Sequence, residues 1–289
     1  SQNGLDIAVA CANPTSPALD DLFVVLSSDF TGSVFNSLPP VNLGVGSLTF
    51  GVAAGEMDGV LGVDLVLTEY QLMAPALTLI PGSGAVRVLS NDGFGVFTVG
   101  PAVLVDTSPP GTARPRSVAI GNFDPNSAMN MNLDVVVGND AGTSESLVLL
   151  LGDGAGNLAL SPAFETISNF SNIHRVVPAD VNNDGLLDIV ASDLTTDTIG
   201  ILIGNGIGGF AVQTAGIAAG SGPIDIALGD FNDDDILDFV TANNGAQTSS
   251  IFYGGETSYF IGGEFTLVNG TTINRIAKLD TDGTINFTS

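Results

Sequence analysis

Two twelve-residue stretches carry oxygen-bearing side chains at alternate positions of a short turn between apolar runs. The first is A-D-V-N-N-D-G-L-L-D-I-V, residues 179–190, and the second is G-D-F-N-D-D-D-I-L-D-F-V, residues 229–240. Positions one, three, five and nine of the two turns are Asp180, Asn182, Asp184 and Asp188, then Asp230, Asn232, Asp234 and Asp238. A hard cation such as calcium takes about six to eight oxygens at roughly 2.3–2.6 Å, and alternate residues of a tight loop can turn theirs inward to supply them. The bland alternative is a solvated acidic turn. Against it, each loop would gather three carboxylates within a small space, and like charges that close cost energy unless a cation bridges them. The EF-hand shares the Asp-x-Asn-x-Asp start but needs a bidentate Glu at position twelve. Ala191 and Thr241 stand there, and the flanks favour strand.

Weaker copies of the loop occur elsewhere. Glu56, Asp58 and Asp64 align without gaps, but the fifth position is Val60, which cannot coordinate. Asn122, Asp124 and Asn126 form another, with extra residues before Asp134, and a shortened copy holds Asp280 and Asp282 near the C-terminus. Successive last-ligand positions lie roughly 50 to 70 residues apart. Each interval also contains one apolar run, a glycine-rich or acidic turn and an aromatic or apolar residue. Examples are R-V-L-S-N-D-G-F-G-V-F at 87–97 and I-L-I-G-N-G-I-G-G-F at 201–210. Asn-Gly and Asp-Gly between β-favouring runs mark hairpins. A four-stranded unit of about 50 residues has the size of a propeller blade. The expectation is therefore an all-β chain, one β-propeller domain over 1–289, with five blades. Their bounds are 1–50 together with 272–289, 51–115, 116–172, 173–222 and 223–271. In that scheme the C-terminal strand completes the N-terminal blade, and 71–85 is an extra loop.

The loop G-D-F-N-D-D-D-I-L-D-F-V, with I-L-I-G-N-G-I-G-G-F before it, resembles the FG-GAP (VCBS-type) repeat of integrin α-like propellers, over about 117–260. The resemblance implies that the acidic loop joins the first two strands of a blade and binds calcium. It implicates Asp180, Asn182, Asp184, the carbonyl of Leu186 and Asp188, and likewise Asp230, Asn232, Asp234, the carbonyl of Ile236 and Asp238. Calcium in such loops is expected to be structural. It also places the protein outside the cell or at its surface, where millimolar calcium fills weak sites.

Composition narrows the function. The formal net charge is −25, from 31 acids against six bases. No basic patch is available to displace counterions from nucleic acid. No apolar run is long enough for a membrane-spanning helix. Cys11, the single cysteine, follows an apolar run and reads as a small buried hydrophobe. His174 is the single histidine and has no matching Ser or Cys constellation, so the chain is expected not to be an enzyme. The reading that follows is an adhesion or binding module with a protein partner or self-association. The alternative is a subunit of a surface fibre or layer, assembling head-to-tail by strand addition. A glycan-binding role ranks lower, because sugar platforms use Trp or Tyr and the chain has no Trp and three Tyr.

Overall fold

The structure is a computed structural model. It describes residues 7–10, 21–27, 35–37, 41–43, 47–73, 78–79, 82–105, 114–126, 132–140, 146–162, 170–254, 258–263, 267–268, 271–272 and 276–280. All regular structure among them is β, and every pairing is antiparallel.

The strands fall into sheets in chain order. The first sheet holds β1 (Ile7–Ala10), β2 (Asp21–Ser27), β3 (Phe35–Ser37) and β4 (Val41–Asn42). The second holds β5 (Ser47–Gly55), β6 (Asp64–Met73), β7 (Thr78–Leu79), β8 (Ala85–Asn91), β9 (Phe97–Val99) and β10 (Val103–Leu104). The third runs β11 (Arg114–Gly121), β12 (Asp134–Asp140), β13 (Leu147–Gly152) and β14 (Leu158–Leu160). The fourth runs β15 (Ile173–Ala179), β16 (Asp188–Asp193), β17 (Thr198–Gly204) and β18 (Phe210–Ala218). The fifth runs β19 (Pro223–Gly229), β20 (Asp238–Asn243), β21 (Thr248–Phe252) and β22 (Ser258–Gly263). β23 (Leu267–Val268) and β24 (Thr271–Thr272) pair with each other, and β25 (Ile276–Asp280) adds to β22.

Two expectations change here. Ile276–Asp280 lies along Ser258–Gly263 as a fifth strand of the last sheet instead of completing the first. Pairing with a strand close in sequence closes a much shorter loop than pairing with the N-terminus would. The stretch after Gln71 is also not simply a loop, because β6 continues to Met73 and pairs with Thr78–Leu79. The expected short run at 284–287 lies outside the described residues.

Packing follows from strand alternation. In β12, Val135 and Val137 face the second sheet, where they meet Val66, Val86 and Val88. Val136 faces the other way, onto Ile173, Val176 and Ile189 of the fourth sheet. Val190 and Ile199 then turn to Ile226, Phe239 and Phe252 of the fifth. Leu65, Leu67 and Leu89 cover Ala8, Ala10 and Val41 of the first. Each inner sheet is thus buried on both faces, which is why its strands read as continuous apolar runs such as Val135-Val136-Val137 instead of alternating. Each fully buried Val, Leu, Ile or Phe contributes about 1.5–3 kcal/mol. The sheets come close enough that Gly200 has no room for a methyl group against the Phe170 ring.

One buried carboxylate pins each of four sheets. Asp64, Asp134, Asp188 and Asp238 begin the second long strand of their sheets and are 0% exposed. One oxygen of each accepts an N–H at the start of its own acidic loop, from Met57, Phe123, Val181 and Phe231. The other accepts an N–H at the end of the neighbouring strand, or just past it, from Asn91, Gly152, Gly204 and Gly254. All eight bonds are 2.7–3.0 Å. Three of these donors are glycines because the carbonyls of Leu133, Leu187 and Leu237 press on them where a Cβ would stand. At the fourth, Asn91 sends its amide to the Val63 carbonyl, at 3.2 Å.

Asp188→Ala strands two N–H groups, one of them fully buried, and each such loss costs about 1–3 kcal/mol. Urea unfolding should therefore show a loss of about 2–6 kcal/mol for this variant. A loss under about 1 kcal/mol would mean that the carboxylate does not hold the sheet.

Candidate metal centre

The two complete acidic loops fold alike, bond for bond. Asp180 accepts from the N–H of Asp184 at 3.1 Å and of Gly185 at 2.8 Å, and Asp230 accepts from Asp234 at 3.2 Å and Asp235 at 2.9 Å. The carbonyl oxygen of the Asn182 side chain takes the Asp184 N–H at 2.9 Å, and that of Asn232 takes the Asp234 N–H at 3.1 Å. Asp184 and Asp234 accept from Leu186 and Ile236, both at 2.8 Å. The Asn182 and Asn232 amides donate to Asp184 and Asp234, both at 2.9 Å.

These bonds curl the chain so that side chains one and three meet the N–H of position five, and side chain three also bonds side chain five. The curl needs left-handed backbone at positions four and six, with φ of 59° at Asn183 and 84° at Gly185, and 60° at Asp233 and 62° at Asp235. Asn, Asp and Gly are the residues that visit this region at least cost. The sequence therefore fits its own turn at each demanding position.

The predicted ligands separate into two kinds. Asp180, Asn182, Asp184, Asp230, Asn232 and Asp234 are exposed or half-buried oxygens on the loop. Asp188 and Asp238 are buried and already bind two N–H groups each. A carboxylate oxygen has two lone pairs, so a single N–H bond leaves capacity for a cation on each. Burial raises the Asp188 carboxyl above the ordinary carboxylate range, the N–H groups of Gly204 and Val181 oppose this, and the charges of Asp184 and Asp180 raise it further. Position nine of the loop marks Asp188 as a ligand from the sequence side, but its second bond comes from Gly204, 16 residues on.

Among the described residues, the tightest group of acids is in the loop with the incomplete pattern. Carboxylate oxygens of Glu56, Asp58 and Asp64 all lie within 4.8 Å of one another. In place of a fifth-position ligand, Asp58 accepts the Val60 N–H at 2.9 Å. The third loop departs further. Asn122 accepts the Asp124 N–H at 3.3 Å, Asp124 is buried, and the Asn126 N–H goes to the Gly206 carbonyl at 2.9 Å. Asp134 closes that loop as the buried clasp. The Asp280 side chain and Asp282 lie outside the described residues.

Burial pushes the Asp134 carboxyl up to about 6, against the pull of the Gly152 and Phe123 N–H groups and with a further push from the Asp124 charge. A raised folded-state value means that the fold favours the protonated acid. The stability this group contributes is thus full below its unfolded value near 4 and is lost as pH rises through about 6. A carbon-13 titration of the carboxyl resonances in calcium-free protein should place Asp134 at about 6, and a midpoint at or below 4 would refute the burial account.

The sequence matches an FG-GAP-like repeat twice, over residues 130–191 and 180–241. No curated protein matches it in sequence. In structure it is similar to a fructofuranosidase from Schwanniomyces occidentalis solved with fructose. That match has 11% identity and a TM-score of 0.43, covering 80% of this chain and 47% of that one. It is similar also to an exo-inulinase from Aspergillus awamori, at 10% identity and a TM-score of 0.38, covering 78% and 50%. The chain spans about half the length of these structures. They correct the expectation that the chain is not an enzyme, since the solved structures alike in fold are themselves enzymes by name. The absence of a Ser or Cys constellation around His174 does not exclude catalysis. At this identity and TM-score the likeness carries no substrate or reaction to this chain. What the chain shares by sequence is this repeat pattern: residues 130–191 and 180–241 each match an FG-GAP-like repeat, and the two spans overlap at 180–191.

Proposed function

We propose that the chain is a calcium-stabilised β-propeller that acts as a binding or adhesion module outside the cell. The observation that carries this reading is the duplicated hydrogen-bond network of the 180–188 and 230–238 loops. It brings the side chains of positions one and three onto the N–H of position five in each loop, ahead of a buried carboxylate at position nine. Asp180, Asn182, Asp184, the Leu186 carbonyl and Asp188 would hold one ion. Asp230, Asn232, Asp234, the Ile236 carbonyl and Asp238 would hold a second. All donors are oxygens, the chemistry that suits a hard cation. The ion offsets the mutual repulsion of each loop's acids, and the protein groups do the rest by fixing the turn between two strands.

The propeller reading is supported by sheets that follow one another in chain order, pack face to face and place their first strands side by side. In such an array the loops at either end of the first strands are free to carry recognition, which is where binding residues concentrate on a rigid scaffold. The degenerate loop of Glu56, Asp58 and Asp64 is a further candidate for an ion.

A ligand held at about 100 times its dissociation constant stabilises a fold by about 2.7 kcal/mol. In a domain of this size that raises the melting temperature by roughly 5 °C or more. Calcium added to EDTA-treated protein should produce this shift, and calorimetric titration should show at least two binding events. Asp180→Ala and Asp230→Ala should each remove one. Identical melting curves with calcium and with EDTA would end the metal reading.

A further inference from the structure

The first strands carry a second repeated feature at the end opposite the acidic loops. Each of four sheets breaks register at the same place, between its first and second strands. The skipped residues are Phe50 and Gly51 in β5, Arg116 in β11, His174 in β15 and Ile224 in β19. A bulge re-aims the side chain that it sets out of the ladder, and bulges are frequent beside functional sites. Here the set-out residues meet one another across sheets. The Arg116 guanidinium lies over the Phe50 ring, 5.8 Å from its centroid, and Phe50 stacks on Tyr70 at 5.1 Å. His174 Nδ1 donates to the Ile224 carbonyl at 2.8 Å. A carbonyl can only accept, so the proton sits on Nδ1 and Nε2 is an acceptor.

Basic residues collect at the same place. The whole chain has six basic residues and a net charge of −25. Three of the six, Arg114, Arg116 and Arg175, stand within the first three positions of β11 and β15. Arg114 and Arg116 share one carboxylate, Asp140, at 3.7 and 3.2 Å, while Arg175 pairs with Asp225 at 3.2 Å. Burial and the charge of Arg116 keep His174 below its ordinary value, against its bond to Ile224 and the nearby Asp140 and Asp225. Three guanidinium groups thus face two carboxylates. The two that share Asp140 are 40% and 37% exposed, so solutes reach them. Each guanidinium has five N–H donors in a planar fork that matches a carboxylate, and Asp140 engages few of them.

We propose that Arg114 and Arg116, flanked by Tyr70 and His174, form a binding site for a small carboxylate-bearing ligand. The ligand's carboxylate bridges the two guanidinium groups and offsets their repulsion, as Asp140 does on the other side. His174 Nε2 accepts a hydrogen bond from a hydroxyl of the same ligand, and the Phe50–Tyr70 pair holds Arg116 in place. A sugar acid supplies both a carboxylate and hydroxyls, while a simple carboxylate supplies only the first. The site does not rest on calcium and lies roughly 20 Å from the acidic loops, at the other end of the strands.

Nitrogen-15 spectra of the arginine side chains in full-length, calcium-loaded protein test this directly. Galacturonate, acetate and galactose serve as probes at low ionic strength. The Nε–H signals of Arg114 and Arg116 should move and saturate with galacturonate and with acetate but not with galactose. Half-saturation by galacturonate at a fivefold or lower concentration than acetate identifies a sugar acid; equal half-saturation identifies the carboxylate alone as the ligand. Arg116→Gln should raise the half-saturation concentration at least tenfold with an unchanged melting curve. Arg116→Lys, which keeps the charge without the fork, should raise it at least threefold and serves if the glutamine variant does not fold. Absence of saturable shifts, equal shifts with galactose, or shifts of Arg87 as large as those of Arg116 would overturn the proposal.

Discussion

The rest of the structure depends on a buried carboxylate that accepts two backbone N–H groups. An ionised acid inside a protein is costly unless it is hydrogen-bonded. Asp64, Asp134, Asp188 and Asp238 meet that condition with one bond to their own loop and one to the neighbouring strand. Each clasp therefore fixes three things together: the start of a strand, the mouth of the loop before it and the end of the adjacent hairpin. Burial opposes the charge and the N–H groups oppose burial, and at Asp134 burial wins. The acidic loops hang from these anchors, which fix the backbone at the start of each loop and the strand that follows it.

Hydrophobic packing then stacks the clasped sheets. Because the inner sheets bury both faces, a strand such as Val135-Val136-Val137 binds its two neighbours at once, and removal of one sheet would expose apolar faces on both sides. The close approach of Phe170 to Gly200 belongs to the same economy of space. The two most exposed large apolar side chains among the described residues, Leu61 and Phe94, sit on loops and not in the stack.

Much of this was legible in the residues. The strands around Gly200–Gly204 and Phe210–Gln213, and the turns between them, follow from glycine punctuation and β-branched runs, and the loops follow from Asp and Asn at alternate positions. Other features depend on partners far along the chain. Position nine of each loop reads as one more ligand, and nothing nearby in sequence shows that Gly204 or Gly254 will occupy one of its oxygens. The incomplete pattern at 56–64 hides the fact that its three acids come closest together. Arg116 and His174 look like isolated polar residues until the bulges place them in one row. The pairing of Ile276–Asp280 turns on competition between two distant edges, which no local pattern decides.

The clasps also separate loop length from loop support. Donor and acceptor stand seven positions apart in the second, fourth and fifth sheets, but eleven apart in the third, and the same two bonds close all four. Chain inserted between these fixed points changes neither the register of the strands nor the depth of the core. Such a frame lets each rim segment diverge on its own, so one copy can keep a short turn while another grows into a new surface.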